Sequence, residues 1–130
     1  RSRLPDLLPL IYAAAERHNL QIANVFHAGD GNLHPCLLFD ERVPDQVREA
    51  VQASHEIMRI CVEAGGSITG EHGVGLEKRE YMSLIFSDRD LRLMADLKGV
   101  FNPSCLLNPG KVLPASHGCM EDPKGWRGAA

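Results

Sequence analysis

Apolar residues recur along this chain with a period that changes from stretch to stretch. Between residues 4 and 18, Leu7, Leu8, Leu10, Ile11, Ala14 and Ala15 stand against Glu16, Arg17 and His18, a helical spacing with one apolar face. Pro5 suits a first turn with Ser2 as a cap, and Pro9 should bend or delay the helix. His18 falls near its C-terminal end, where a cation meets the negative pole of the helix dipole. The period then changes. Val25-Phe26 and Leu33 to Phe39 are apolar and strand-like around the turn signal Gly29-Asp30-Gly31-Asn32, which predicts a β-hairpin with strands over about 21–27 and 33–39 and Pro35 at an edge or bulge. From Pro44 to Ala64 the helical period returns in Val47, Ala50, Val51, Ile57, Met58, Cys61 and Val62, with Gly65-Gly66 as the stop. His55 on this helix reads as solvent-facing.

Ser67-Ile68-Thr69 is short and β-prone, a candidate third strand leading into the loop Gly70-Glu71-His72-Gly73-Val74-Gly75. A helical turn or two is expected from Leu76 to Leu84. Ser87 or Asp88 should cap a further helix carrying a stripe of Leu91, Met94, Leu97 and Phe101. Turn signals follow at Phe101-Asn102-Pro103 and Asn108-Pro109-Gly110-Lys111. After Leu113 the composition shifts to proline, serine, glycine and charge, so residues 114–130 are expected to form a disordered tail behind a domain spanning 1–113.

Composition narrows the function classes. A chain of 130 residues with 44% hydrophobic and 24% charged content is of ordinary globular make-up. Its net charge of −3 argues against a nucleic-acid or anionic-membrane surface. No apolar run approaches the roughly 20 residues of a membrane span. The start, Arg1-Ser2-Arg3, lacks a methionine and any signal-peptide pattern, so a piece of something longer is expected. Cys36, Cys61, Cys105 and Cys119 are widely spaced without a Cys-x-x-Cys, which reads as free thiols in a reducing, cytoplasmic compartment.

The chemistry gathers at the hairpin. If Gly29 to Asn32 form its loop, Ala28 lies opposite Leu33 and His27 opposite His34, on one face. Two imidazoles so placed can reach one metal ion. Glu71-His72, set between glycines, offers a carboxylate and a further imidazole. A histidine beside a turn is more commonly a surface hydrogen-bonding residue, so the residues alone leave a metal or acid–base site and a structural pair both open.

Three ordered motifs resemble the C-terminal part of FAD-linked oxidases of the vanillyl-alcohol oxidase type, and within it the FAD subunits of bacterial glycolate oxidases and the D-lactate dehydrogenases. They are Asn24-Val25-Phe26-His27-Ala28-Gly29-Asp30-Gly31-Asn32-Leu33-His34-Pro35, Gly70-Glu71-His72-Gly73-Val74-Gly75, and Phe101-Asn102-Pro103 through Leu107-Asn108-Pro109-Gly110-Lys111. The resemblance covers residues 1–113 and implies an α+β fold: half of a ferredoxin-like substrate domain, with an antiparallel hairpin sheet packed by helices and a C-terminal helical segment. It implies a flavin-dependent oxidation of a 2-hydroxy acid, glycolate or D-lactate, to the 2-oxo acid, with FAD held by a preceding domain that this chain lacks. It further implies a divalent metal (zinc, manganese or iron) on His27, His34 and Glu71, His72 as base, and Asn108 and Lys111 near the flavin. Asp30 would turn the chain or orient a ligand imidazole. Other glycolate oxidase subunits are implied partners, with membrane association through them. Alone, the chain is expected to be inactive and, with an exposed sheet edge, to form a homodimer or swapped assembly. The competing expectation is a stand-alone metal- or ligand-binding module without redox activity.

Overall fold

The computed structural model describes residues 1–115. Cys119, Trp126 and most of the expected tail therefore lie outside the described residues. The chain is α+β, a two-stranded antiparallel sheet packed by helices with a further helix toward the C-terminus. It divides into two compact units, Arg1–Gly70 and the chain from Glu71 onward.

The first unit runs α1 (Leu4–Arg17), β1 (Gln21–His27), β2 (Asn32–Leu38) and α2 (Pro44–Glu63). Arg3 rather than Ser2 occupies the cap position of α1, with no side-chain hydrogen bond, and the arginine's carbonyl accepts the N–H groups of Asp6 and Leu7 at 3.1 and 3.0 Å. Pro9 lies inside α1, which continues through it. The helix ends where Asn19 takes a left-handed φ of 54°, with the N–H groups of Asn19 and Leu20 donating back to Glu16 and Ala15. The same device closes α2. Gly65 has φ of 85°, and the N–H of Gly66 donates to the Cys61 carbonyl at 2.9 Å.

One face of the hairpin rests on the helices. Ile11, Ala14 and Ile57 form a buried cluster against which Leu7, Ile22, Leu33, Leu37, Ile60 and Cys61 pack, and Leu20, Ala50 and Ala53 form a second cluster with Leu37. Burial pushes the Cys61 thiol above its usual range, because a thiolate there loses its hydration. Val51, assigned to the buried stripe of α2 by its spacing, is instead half exposed.

Across the helices, His18 is held between two acids. Its Nδ1 stands 2.7 Å from Glu49 Oε2 and its Nε2 3.5 Å from Glu56 Oε2, while the Arg17 guanidinium also pairs with Glu56. Arg17 first, and then His18, hold the Glu56 carboxyl below its ordinary value of 4.5. A lowered folded value contributes stability that is present above the unfolded value and is lost as pH falls through the folded one. The unfolding free energy of Glu56→Gln should therefore fall less steeply below pH 4.5 than that of the parent, which urea titrations across that range will read.

The second unit carries a 3-10 helix (Arg79–Leu84) and α3 (Asp88–Phe101), which pack together. Ser87 caps α3 in a reciprocal box: its Oγ accepts from the Asp90 N–H, and the Asp90 carboxylate accepts from the Ser87 N–H. Asn102 is buried and bonds both the N–H and the carbonyl of Leu107. Leu91 is buried, but Leu97 and Phe101 are 62% and 75% exposed, so the stripe expected on α3 is only partly a core face.

Two further expectations are corrected. Ser67-Ile68-Thr69 pairs with no strand. Ile68 is buried without joining a ladder, and the sheet of the described residues has two strands. Cys105 is disulfide-bonded rather than free, whereas Cys36 and Cys61 are free thiols.

Candidate metal centre

The hairpin register sets the site. β1 and β2 pair as Gln21↔Leu38, Ala23↔Cys36, Val25↔His34 and His27↔Asn32, with Ile22↔Leu37, Asn24↔Pro35 and Phe26↔Leu33 between them. His27 is thus not opposite His34, nor Ala28 opposite Leu33. The loop is Ala28 to Gly31, one residue earlier than the glycine count suggested. The N–H groups of Asp30 and Gly31 both donate to the His27 carbonyl at 3.0 Å, and Gly31 takes a φ of 79° that a side chain would resist. Asn32 accordingly begins the second strand.

Moving His34 two residues along relative to the expected pairing keeps it on the same face, because strand side chains alternate with period two. The imidazoles are diagonal neighbours whose ring centroids lie 5.3 Å apart with planes at 89°. Between them in the register sits Asn32, whose amide nitrogen is 3.4 Å from His34 Nε2. The polar neighbour that orients His34 is therefore Asn32. Of the two roles expected of Asp30, turning the chain or orienting an imidazole, its backbone takes the first. Asn32 belongs to the strand rather than to the turn its residue type suggests. Its even spacing from His34 was the signal that it shares the ligand face.

Gly70 lies against this face. A Cβ built on it would stand 2.5 Å from Asn32 Oδ1 and 2.9 Å from Asn32 Cγ, closer than real contacts allow. His27, His34 and Glu71 each offer one ligand atom, and these atoms all lie within 4.8 Å of one another. Donors around a tetrahedral ion with bonds of about 2.0–2.2 Å stand roughly 3.4 Å apart. Small side-chain rotations close the difference, since His27 and Glu71 are exposed and His34 is half-buried. Two imidazole nitrogens and a carboxylate oxygen suit zinc, manganese or iron and leave coordination positions open. The donor set fits a divalent cation. His72 is exposed on the next residue and lies outside this donor cluster.

Because Gly70 admits no Cβ without moving Asn32, Gly70→Ala should swing that amide away from His34. Metal affinity is expected to fall on the order of tenfold, with the urea midpoint little changed; calorimetric titration with Zn(II) reads the first.

Asn108 and Lys111 lie in the second unit, on a turn where Asn108 takes a φ of 47°. Lys98 Nζ donates to the carbonyls of Asn108 and Lys111 at 3.1 and 3.3 Å, and Arg79 Nη1 donates to that of Gly110 at 2.6 Å. Their contacts are those of a turn pinned by two cations. Nor do the described helix N-termini offer a pyrophosphate cradle. α1 carries Pro5 as its second residue, α2 begins at Pro44, and α3 is closed by its own Asp90 carboxylate. The described helix ends therefore offer no cradle for the phosphates of FAD.

Residues 1–112 match the family described as FAD linked oxidases, C-terminal domain. Glycolate oxidase subunit GlcD of Escherichia coli is 44% identical over 93% of this chain, and the mitochondrial cytochrome-type D-lactate dehydrogenase of Arabidopsis thaliana is 34% identical over 92%. D-2-hydroxyglutarate dehydrogenase of Stutzerimonas stutzeri is 31% identical over 87%. This chain spans 24%, 21% and 25% of the lengths of those proteins, respectively. With nearly its whole described length matched, from the paired histidines to the pinned turn, the chain belongs to the FAD-linked oxidases, as their C-terminal domain.

Proposed function

We propose that this chain forms the substrate side of a flavin-dependent 2-hydroxy-acid dehydrogenase or oxidase, acting on glycolate or D-lactate, with His27, His34 and Glu71 holding a divalent metal. The observation that carries this reading is the convergence of three donor atoms of the right chemistry within 4.8 Å. The names of the relatives, which act on glycolate, D-lactate and D-2-hydroxyglutarate, supply the substrate class. A bound dication lowers the pKa of a coordinated hydroxyl and offsets the charge of a substrate carboxylate.

The chain's own residues do the rest. Two neutral imidazoles and one carboxylate neutralise only part of a dication's charge, so the centre stays attractive to a hydroxy-acid anion. Asn32 keeps the His34 ring turned toward its partners. His72, bonded to Glu71, takes the hydroxyl proton, since imidazole is the side chain that changes charge near neutral pH. The hydride acceptor is held by other parts of the protein, so this chain alone is inactive. Further subunits, a cytoplasmic location and self-association through the hairpin edges belong to the same reading.

Elemental analysis of protein purified without chelator tests it. About one equivalent of zinc, manganese or iron is expected, displaced by a strong chelator; less than roughly a tenth in protein purified and reloaded under these conditions sinks the reading.

A further inference from the structure

The ligand-bearing face of the hairpin extends past its histidines. Alternation and register place Gln21, Ala23, Val25, Cys36 and Leu38 on the same side as His27, Asn32 and His34. None of these neighbours is charged. The helices cover the opposite face through Ile22, Leu33 and Leu37, leaving this one open: Val25 is 59% exposed and Cys36 is exposed. Val25 lies directly across from His34, where Cβ atoms stand about 4.5–5.5 Å apart. Cys36 is the next residue on that face along the strand, about 7 Å further. Its Sγ is within 3.5 Å of the His34 carbonyl, so the thiol's weak donor is directed to its own strand.

A 2-hydroxy acid held by its hydroxyl and carboxylate has one carbon substituent left to place. We infer that Val25 and Cys36 form the subsite for that substituent, and that they select acids bearing hydrogen or a short alkyl group at C2 over acids bearing a second carboxylate. The inference rests on the metal centre proposed above. A hydrogen or methyl group meets a valine side chain and a sulfur without losing any polar partner. A second carboxylate brought beside Val25 and Cys36 gives up water and meets a valine and a thiol, with no cationic side chain among the hairpin residues of that face, which is costly. One of the relatives is named for a dicarboxylic substrate, so the distinction divides members of this family.

Binding by zinc-loaded protein tests this without turnover. Calorimetry should find D-lactate binding at least about tenfold tighter than D-2-hydroxyglutarate. Val25→Arg supplies a guanidinium for the second carboxylate and should bring the two acids to parity or reverse them, with zinc content unchanged. Cys36→Arg, on the facing strand, should do the same and serves where position 25 disturbs the strand. Equal affinity for both acids in the parent, or an unchanged ratio in both folded arginine variants with about one zinc bound, overturns the subsite alone. A parent that retains no zinc overturns the centre, and the subsite with it.

Discussion

His34→Ala is expected to lower zinc affinity by about a hundredfold or more and to reduce turnover of the intact flavoenzyme to a similar degree. The loss follows from the position of His34. It comes from the middle of β2, diagonal to His27 and beside Asn32, and it is the least exposed of the three donors. Removing it leaves one imidazole and one carboxylate, both exposed, too few to hold a divalent ion against water. The fold should persist, because the covered face of β2 is carried by Leu33 and Leu37 rather than by the histidine. Calorimetric zinc titration, circular dichroism and steady-state rates separate the two effects. His55→Ala, on the exposed side of α2, is the control and should change none of them. Full zinc affinity in His34→Ala would show that the imidazole pair is structural.

Much of this was legible in residue order, and the failures share a cause. The glycines of the turn announce the hairpin, and β1 spans the expected residues 21–27. The glycine count misses the register because Asn32 suits a turn, whereas it begins β2 with its side chain on the ligand face. Period two spared the conclusion: a shift of one residue would have turned His34 toward the helices, whereas a shift of two left it beside His27. Long-range partners were less readable. His18 could be assigned a helix end from sequence, but its two acids come from α2, 31 and 38 residues on, and no local pattern announces such a meeting. The same holds for Gly70, whose lack of a Cβ has meaning only once Asn32 is known to lie against it. Leu97 and Phe101 fit a helical stripe by spacing and remain exposed, because periodicity reports an apolar face without saying what covers it.

Ile11→Ala should be among the most destabilising single changes in the first unit, at about 2–5 kcal/mol. Ile11 is fully buried and meets Ala14 of its own helix, Ile57 of α2, and the hairpin's covered face. Truncation removes apolar contact from all three and leaves a cavity that two helices and a short sheet cannot collapse without shifting. Small domains have total stabilities of about 5–15 kcal/mol, so the change would consume a large share. Ile22, Leu33 and Leu37 occupy the covered face of the same strands whose other face bears His27 and His34. A hairpin that loses its backing therefore loses its alignment of ligands. In urea titrations the midpoint should fall sharply, and saturating zinc should restore part of it, because a ligand that binds only the folded state adds stability by mass action. Leu97→Ala, on an exposed position of α3, should stay within about 0.5 kcal/mol of the parent. If the two variants unfold at the same urea concentration, Ile11 does not anchor the hairpin. If zinc fails to shift Ile11→Ala while it shifts the parent, the ligand face and the core face are not coupled through these strands.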